Sequence, residues 1–210
     1  MSSPQIQAPR PSTSLRERKK QGTRARILRA ATTLFAQRGF DATTVDELAE
    51  AAEVSRATFF NYFEEKSGVV SALCDAMTNS LVADVTAVLA LDLRTSERLE
   101  WLFLASATRL NARPGLTRSL VFETIARRRE RTDRNSRTTR VHASIAEILA
   151  RGIERDEVRT DVPLSVLAEL VVGGYVEVLL AWMMDESYPL EERIRQAVRV
   201  FSSAIAPIPA

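Results

Sequence analysis

An all-α fold is predicted by three observations: apolar residues recur at helical spacing along most of the chain, strand-like alternation is scarce, and only 7 of 210 residues are glycine. A hydrophobic content of 45% with 27% charged residues is that of a globular protein, and the length allows a sizeable buried core. The pattern divides into a tail over 1–14, a three-helix head over 15–66, and a helical body over 67–206 that a long helix joins to the head.

Residues 1–14, rich in Pro, Ser and Gln without periodicity, are expected to be disordered. A basic arm, LRERKKQGTRAR, runs into a first helix over about 23–38, where Ile27, Ala31, Leu34 and Phe35 share a face and Gly39 supplies a left-handed cap. Charge is unevenly spread. Residues 1–40 hold 9 Lys or Arg against one Glu, whereas 41–70 hold 2 basic and 7 acidic residues, although the whole chain is only +2. Positive charge on the arm and first helix attracts phosphates and makes binding salt-dependent; a solvated tail is the plain alternative.

Thr44 followed by Glu47 has the spacing of a capping box, so a helix starts at Val45, with Val45, Leu48, Ala49 and Ala52 on its apolar side. After Glu53-Val54, Ser55 caps a second helix that starts at Arg56. Two short helices so joined form a helix-turn-helix, the first bracing the second against the major groove of DNA. Phe59 and Phe63 bury together. The other face presents Arg56, Ala57, Phe60 and Asn61, with Ser55, Thr58 and Tyr62 alongside, a set suited to a groove. Arg56 is the foremost base-contact candidate, because its guanidinium donates two parallel bonds to guanine O6 and N7. Thr44, Thr58, Tyr62 and Lys66 suit phosphates. The competing reading makes both helices part of a plain helical core with a solvated face.

The segment ILRAATTLFAQRGFDATTVDELAEAAEVSRATFFNYFEEK, with its LFAQRGF link, TTV entrance, VS turn and TFFNYF ending before Lys66, resembles the N-terminal domain of the tetracycline-repressor (TetR) family of bacterial transcription regulators. The likeness spans about residues 23–70. It implies phosphate contacts at Thr44, Thr58, Tyr62 and Lys66, and a base-facing side at Arg56, Ala57, Phe60 and Asn61. Phe60 stands where the family usually has tyrosine, leaving apolar contact alone, and Glu53 stands where glycine is common in the turn.

After Lys66 a long helix is expected to about Ala90, with Val69, Val70, Leu73, Met77, Leu81 and Val85 in register; such a rod can convert a change in the body into a change in the head. Helices over about 96–111 and 116–128 follow, separated by Pro114-Gly115. The run from Arg127 to Arg140, with 7 arginines against Glu130 and Asp133, reads as a solvated connection, a second anionic contact being the sharper alternative. A helix over about 141–154 is next. Pro163 opens an almost wholly apolar helix to about Met184, in which Gly173-Gly174 implies close approach of another helix, and Pro189 opens a last one to about Ile205. A C-terminal pair of this kind suggests a two-fold interface; the TetR resemblance implies a four-helix dimer core built from two helices of each subunit.

The function expected is that of a cytoplasmic homodimeric DNA-binding regulator, a repressor reading a near-palindromic double-stranded operator and answering to a small-molecule effector of unknown chemistry. Trp101, Phe103, Arg109, Phe122, Tyr175, Trp182 and Met183 are candidate pocket residues, though core packing explains such residues equally well. No cofactor or metal is implied: His142 and Cys74 are single and far apart. One cysteine fits a reducing compartment, and the apolar run 170–184, interrupted by Glu177, is read as too short for a membrane. No glycine-rich phosphate loop or acid/base dyad supports an enzyme. A helical protein-binding adaptor with a vestigial head is the remaining rival; loss of base preference in Arg56→Ala separates the two.

Overall fold

The computed structural model describes residues 15–126, 134–185 and 187–208; of 121–126, 134–136 and 138 it describes the backbone alone. The predicted tail over 1–14 and the 127–133 part of the arginine-rich run lie outside the described residues, as does the side chain of Phe122. The described residues form helices α1 (Leu15–Arg38), α2 (Val45–Ala51), α3 (Arg56–Phe60), α4 (Lys66–Leu89), α5 (Thr95–Asn111), α6 (Pro114–Ala126), α7 (Arg134–Ile153), α8 (Leu164–Met184) and α9 (Leu190–Ile205), with no strand among them.

Two apolar clusters organise these helices. In the head, Ile27, Ala31 and Phe35 of α1 close over Leu48, Phe59 and Phe63, and α4 supplies Val69, Val70 and Leu73 to the same core. Leu120 of α6, only 1% exposed, belongs to it too. The second cluster holds Val85 and Val88 from the far end of α4, Leu99, Leu102 and Phe103 of α5, Ile145, Ile148 and Leu149 of α7, and the inner faces of α8 and α9. Helix α4 therefore spans both cores. A rod packed at each end transmits displacement rather than absorbing it.

Several boundaries differ from the sequence reading. Helix α1 begins at Leu15 rather than near 23, so the basic arm is itself helical; its Leu, Arg, Lys, Glu and Gln are strong helix formers and Gly22 alone weakens it. Pro114 and Gly115 open α6 instead of ending α5, because proline lacks the N–H that a first turn leaves unbonded. The described part of the arginine-rich run is not a solvated connection. It is the first turns of α7, where Arg137 donates to the Ser71 carbonyl at 3.1 Å and pairs with Asp75 at 3.4 Å, and Arg140 donates to Asn79 at 2.6 Å. Helices α4 and α8, of 24 and 21 residues, are long and apolar enough to cross a membrane by length and composition, which corrects the shorter span inferred for 170–184. In the fold, α8 packs one side into the body core through Leu167, Ala168, Val171, Val172 and Tyr175. Its other side leaves Val166, Leu170 and Val176 exposed.

The two adjacent glycines of α8 face different surroundings. A Cβ on Gly174 would collide with the ring of Phe201, so this glycine lets α9 lie close to α8. A Cβ on Gly173 would meet nothing within 4 Å in this chain. The approach inferred from the pair is thus accounted for at Gly174 alone within the subunit.

Candidate nucleic-acid interface and body cavity

The head is set by local chemistry that the sequence announces. Thr44, in extended conformation, accepts from the Glu47 N–H at 3.3 Å, and the Glu47 carboxylate accepts from the Thr44 N–H at 2.8 Å, closing the capping box. The Thr44 N–H and the Thr44 hydroxyl, which donates to the same carboxylate at 2.9 Å, followed by the Arg38 guanidinium at 2.9 Å, hold the Glu47 carboxyl below its usual range. Between α2 and α3 the chain reverses through Glu53 at φ +53°, the left-handed conformation that the missing glycine would have adopted more readily. Ser55 then caps α3, its hydroxyl accepting from the Thr58 N–H at 3.0 Å.

Helix α3 has a buried and an open side. Phe59 is 0% exposed and its ring lies 5.9 Å from that of Phe63, which pins the helix to the head core. Arg56, Ala57, Phe60 and Asn61 are all exposed on the side away from that core, with Thr44 and Ser55 exposed beside them and Thr58, Tyr62 and Lys66 half-buried. Six of the nine predicted contact residues are thus exposed and three half-buried. The two cations among them are engaged within the head. Lys66 donates to the carbonyls of Phe40 and Thr43, each at 2.7 Å, and lies 4.0 Å above the Phe40 ring, so its ammonium also ties down the loop between α1 and α2. Arg56 directs Nη1 to both carboxylate oxygens of Asp46, each at 2.7 Å, with its guanidinium 5.6 Å from the Phe60 ring. Arg16, Arg18, Lys19, Lys20, Arg24, Arg26 and Arg29 stand exposed on α1.

In the body, a cavity of about 570 Å³ opens chiefly between α4, α5, α6 and α8, with Thr32 of α1 and Val141 of α7 also in its lining. Leu73, Met77, Leu81, Leu110, Leu116, Leu120 and Val172 make it apolar, while Ser106, Arg109, Arg113 and Thr117 add polar groups. Phe103 and Tyr175 stack in its wall with centroids 4.2 Å apart and planes 9° from parallel. The Tyr175 hydroxyl is buried without a well-formed hydrogen bond, and burial pushes its pKa up to about 12, the Ser106 hydroxyl and Arg109 guanidinium offsetting only part of the shift. Arg109 itself pairs with Asp84 of α4.

Of the predicted pocket residues, Phe103, Arg109 and Tyr175 line this cavity. Trp182 and Met183 lie in the body core and Trp101 is 39% exposed; none of the three is in the wall. The sequence reading named only Phe122 on α6 and missed Leu116, Thr117 and Leu120 of that helix, along with Met77 and Ser106. Aliphatic wall residues have the same spacing as core residues, so sequence alone carries no signal that separates them.

Known proteins share this arrangement. The family described as bacterial regulatory proteins, tetR family, matches residues 27–73, the span from α1 into α4. Over 154 residues the chain is 29% identical to the uncharacterised helix-turn-helix transcriptional regulator YdeS of Bacillus subtilis, covering 73% of this chain and 76% of that one. It is 31% identical to the transcriptional repressor KstR2 of Rhodococcus jostii over 93 residues, 44% of this chain and 46% of that protein. Among solved structures, FadR of Thermus thermophilus, a TetR-family repressor determined in complex with lauroyl-CoA, superposes with a TM-score of 0.72 at 28% identity, covering 89% of this chain and 97% of that one. FadR of B. subtilis, in complex with stearoyl-CoA, shares the fold at a TM-score of 0.72 with 19% identity, covering 86% and 98%. The head matches the tetR family of bacterial regulatory proteins, and the helix-turn-helix with the helical body that carries it is similar to TetR-family repressors along most of its length: this chain is a DNA-binding transcriptional regulator rather than an enzyme.

Proposed function

We propose that the protein is an effector-responsive repressor that acts as a cytoplasmic homodimer on a near-palindromic operator. The observation that carries the reading is the open side of α3: Arg56, Ala57, Phe60 and Asn61 exposed together while Phe59 and Phe63 anchor the helix from behind. Arg56 reads a base, Phe60 presents an apolar edge suited to a thymine methyl, and Thr44, Ser55, Thr58 and Tyr62 face phosphates. The exposed basic residues of α1 add sequence-independent attraction, and Lys66 contributes chiefly by fixing the loop that presents Thr44.

Dimerisation is supported by α8. Val166, Leu170 and Gly173 share one outward face, and an open glycine in such a face suits a helix crossing at short distance from a second copy. Val200 of α9, 66% exposed, extends the apolar surface. Two-fold pairing there sets two heads on the two half-sites of one operator.

The effector site is the cavity beside Phe103 and Tyr175. Its volume suits a ligand with a long apolar body, and Ser106, Arg109, Arg113 and the buried Tyr175 hydroxyl offer polar ends. The acyl-CoA complexes of the two FadR proteins make lauroyl-CoA and stearoyl-CoA the first probes. Leu116, Thr117 and Leu120 of α6 line the cavity while Leu120 is also in the head core, so a ligand that moves α6 acts on the head directly.

The test is selection of duplexes from a randomised pool by the full-length protein, followed by footprinting. A two-fold symmetric site whose binding Arg56→Ala weakens at one position per half-site supports the reading. Enrichment of no sequence, with binding abolished by moderate salt, overturns it.

A further inference from the structure

The guanidinium of Arg56 is held before any DNA is present. Its Nη1 donates to both oxygens of Asp46, each at 2.7 Å, across the turn from α2 to α3, and the Phe60 ring lies beneath it at 5.6 Å. The Arg56 and Asp46 side chains are 62% and 64% exposed, so the pair adds little to folding stability. Its consequence is geometric. Arginine is long and rich in rotamers, and α3 is only five residues, so an untethered Arg56 samples many directions over the groove. Engagement of Nη1 by Asp46 occupies the Nη1/Nη2 end and leaves the Nε and Nη2 edge as the one free to donate two parallel bonds to guanine O6 and N7. The carboxylate also sets a negative charge beside the reading position, which disfavours any arrangement placing a phosphate there.

We propose that Asp46 is a positioning residue for base recognition, which selects one edge of the Arg56 guanidinium and thereby sharpens preference for guanine at a single position of each half-site. The proposal rests on α3 being the base-reading helix.

The experiment determines base preferences of the full-length protein by selection from a randomised duplex pool, then compares affinities for the selected site and its single-base variants. Asp46→Asn, Asp46→Ala, Arg56→Ala and the double Asp46→Ala/Arg56→Ala variant are measured alongside, with circular dichroism to confirm that each is folded. A guanine preference read by Arg56 is about 5- to 150-fold. Removal of the Asp46 charge is expected to cut it several-fold at that position only, and the double variant should match Arg56→Ala alone, the signature of two residues acting as one unit. Unchanged preference in both Asp46 variants, with Arg56→Ala losing it, overturns the proposal and leaves the function reading intact. An equal change at every position also overturns it, since that marks a general charge effect on phosphate affinity. Base preferences unaffected by Arg56→Ala overturn base reading by Arg56, and failure of the unaltered protein to select any sequence overturns both.

Discussion

Gly115, at the start of α6, lies so close to α1 that a Cβ on it would stand 2.7 Å from the carbonyl oxygen of Ala36. Backbone meets backbone there, so no side-chain rotation relieves a clash. Ser119, one turn later, donates to the Phe35 carbonyl at 3.3 Å and fastens the same junction.

Gly115→Ala should therefore destabilise the protein by about 1–3 kcal/mol, the usual cost of overpacking a close contact. Gly22→Ala should do the reverse. Within α1 a Cβ at 22 meets nothing within 4 Å, and alanine in place of a helical glycine gains about 0.5–1 kcal/mol. Urea denaturation of the two variants, followed by circular dichroism, reads the opposite signs directly.

The depressed pKa of Glu47 makes the head sensitive to acid. A carboxylate whose folded pKa lies below the ordinary value near 4.5 contributes stability above that value, and the contribution disappears as pH falls through the folded pKa. Glu47→Gln removes the charged acceptor of the Thr44 cap. Its melting temperature should fall below that of the unaltered protein at pH 7, and the gap should narrow as pH drops below about 4.5.

Tyr175 has the opposite dependence. Its pKa is raised to about 12, above the ordinary 10, so folding favours the neutral phenol; that stability is present below pH 10 and is lost as pH rises towards 12. Tyr175→Phe keeps the stack on Phe103 and removes a buried hydroxyl that lacks a well-formed bond. At pH 7 it should be as stable as the unaltered protein or up to about 1 kcal/mol more so, and thermal melts from pH 9 to 11 should show its advantage growing.

The glycine pair of α8 offers a test that separates packing within the chain from the proposed packing between two copies. Gly174→Ala should lower stability at every protein concentration, because the Phe201 ring stands in the way. Gly173→Ala gains helix propensity and meets nothing in the chain. In sedimentation measurements it should weaken the dimer, whereas an unaltered dimer would show that this face is not the interface. Leu170→Asp, which charges the neighbouring exposed position, should produce monomers.

Much of the head was legible because its signals are local: a cap and its partner lie three positions apart, and the turn is marked by Glu53-Val54-Ser55, so capping chemistry places both short helices. The shared helical face read for Phe59 and Phe63 was not right in detail, since α3 ends at Phe60 and Phe63 reaches the same core from beyond it. The start of α1 was not legible, since Arg, Lys and Gln serve a helix and a solvated arm equally well. Nor was the docking of Arg137 and Arg140 on α4, which joins positions more than 60 residues apart through polar groups that carry no pattern. The cavity failed for a further reason. Leu116 and Leu120 are spaced as any buried pair, and only the arrangement of the surrounding helices makes one of their sides a wall.

Leu120 bears on how this regulator can be taken apart. The head core is completed by α6 as well as by the first turns of α4, so residues 15–66 alone expose the surfaces of Ile27, Phe35 and Phe63 that later helices cover. A recognition module cut there and spliced onto another body would inherit the proposed contact residues without the scaffold that orients them. Chimeras that trade DNA specificity should instead carry the head-facing residues of α4 and α6 along with it, or exchange only the outward side chains of α3.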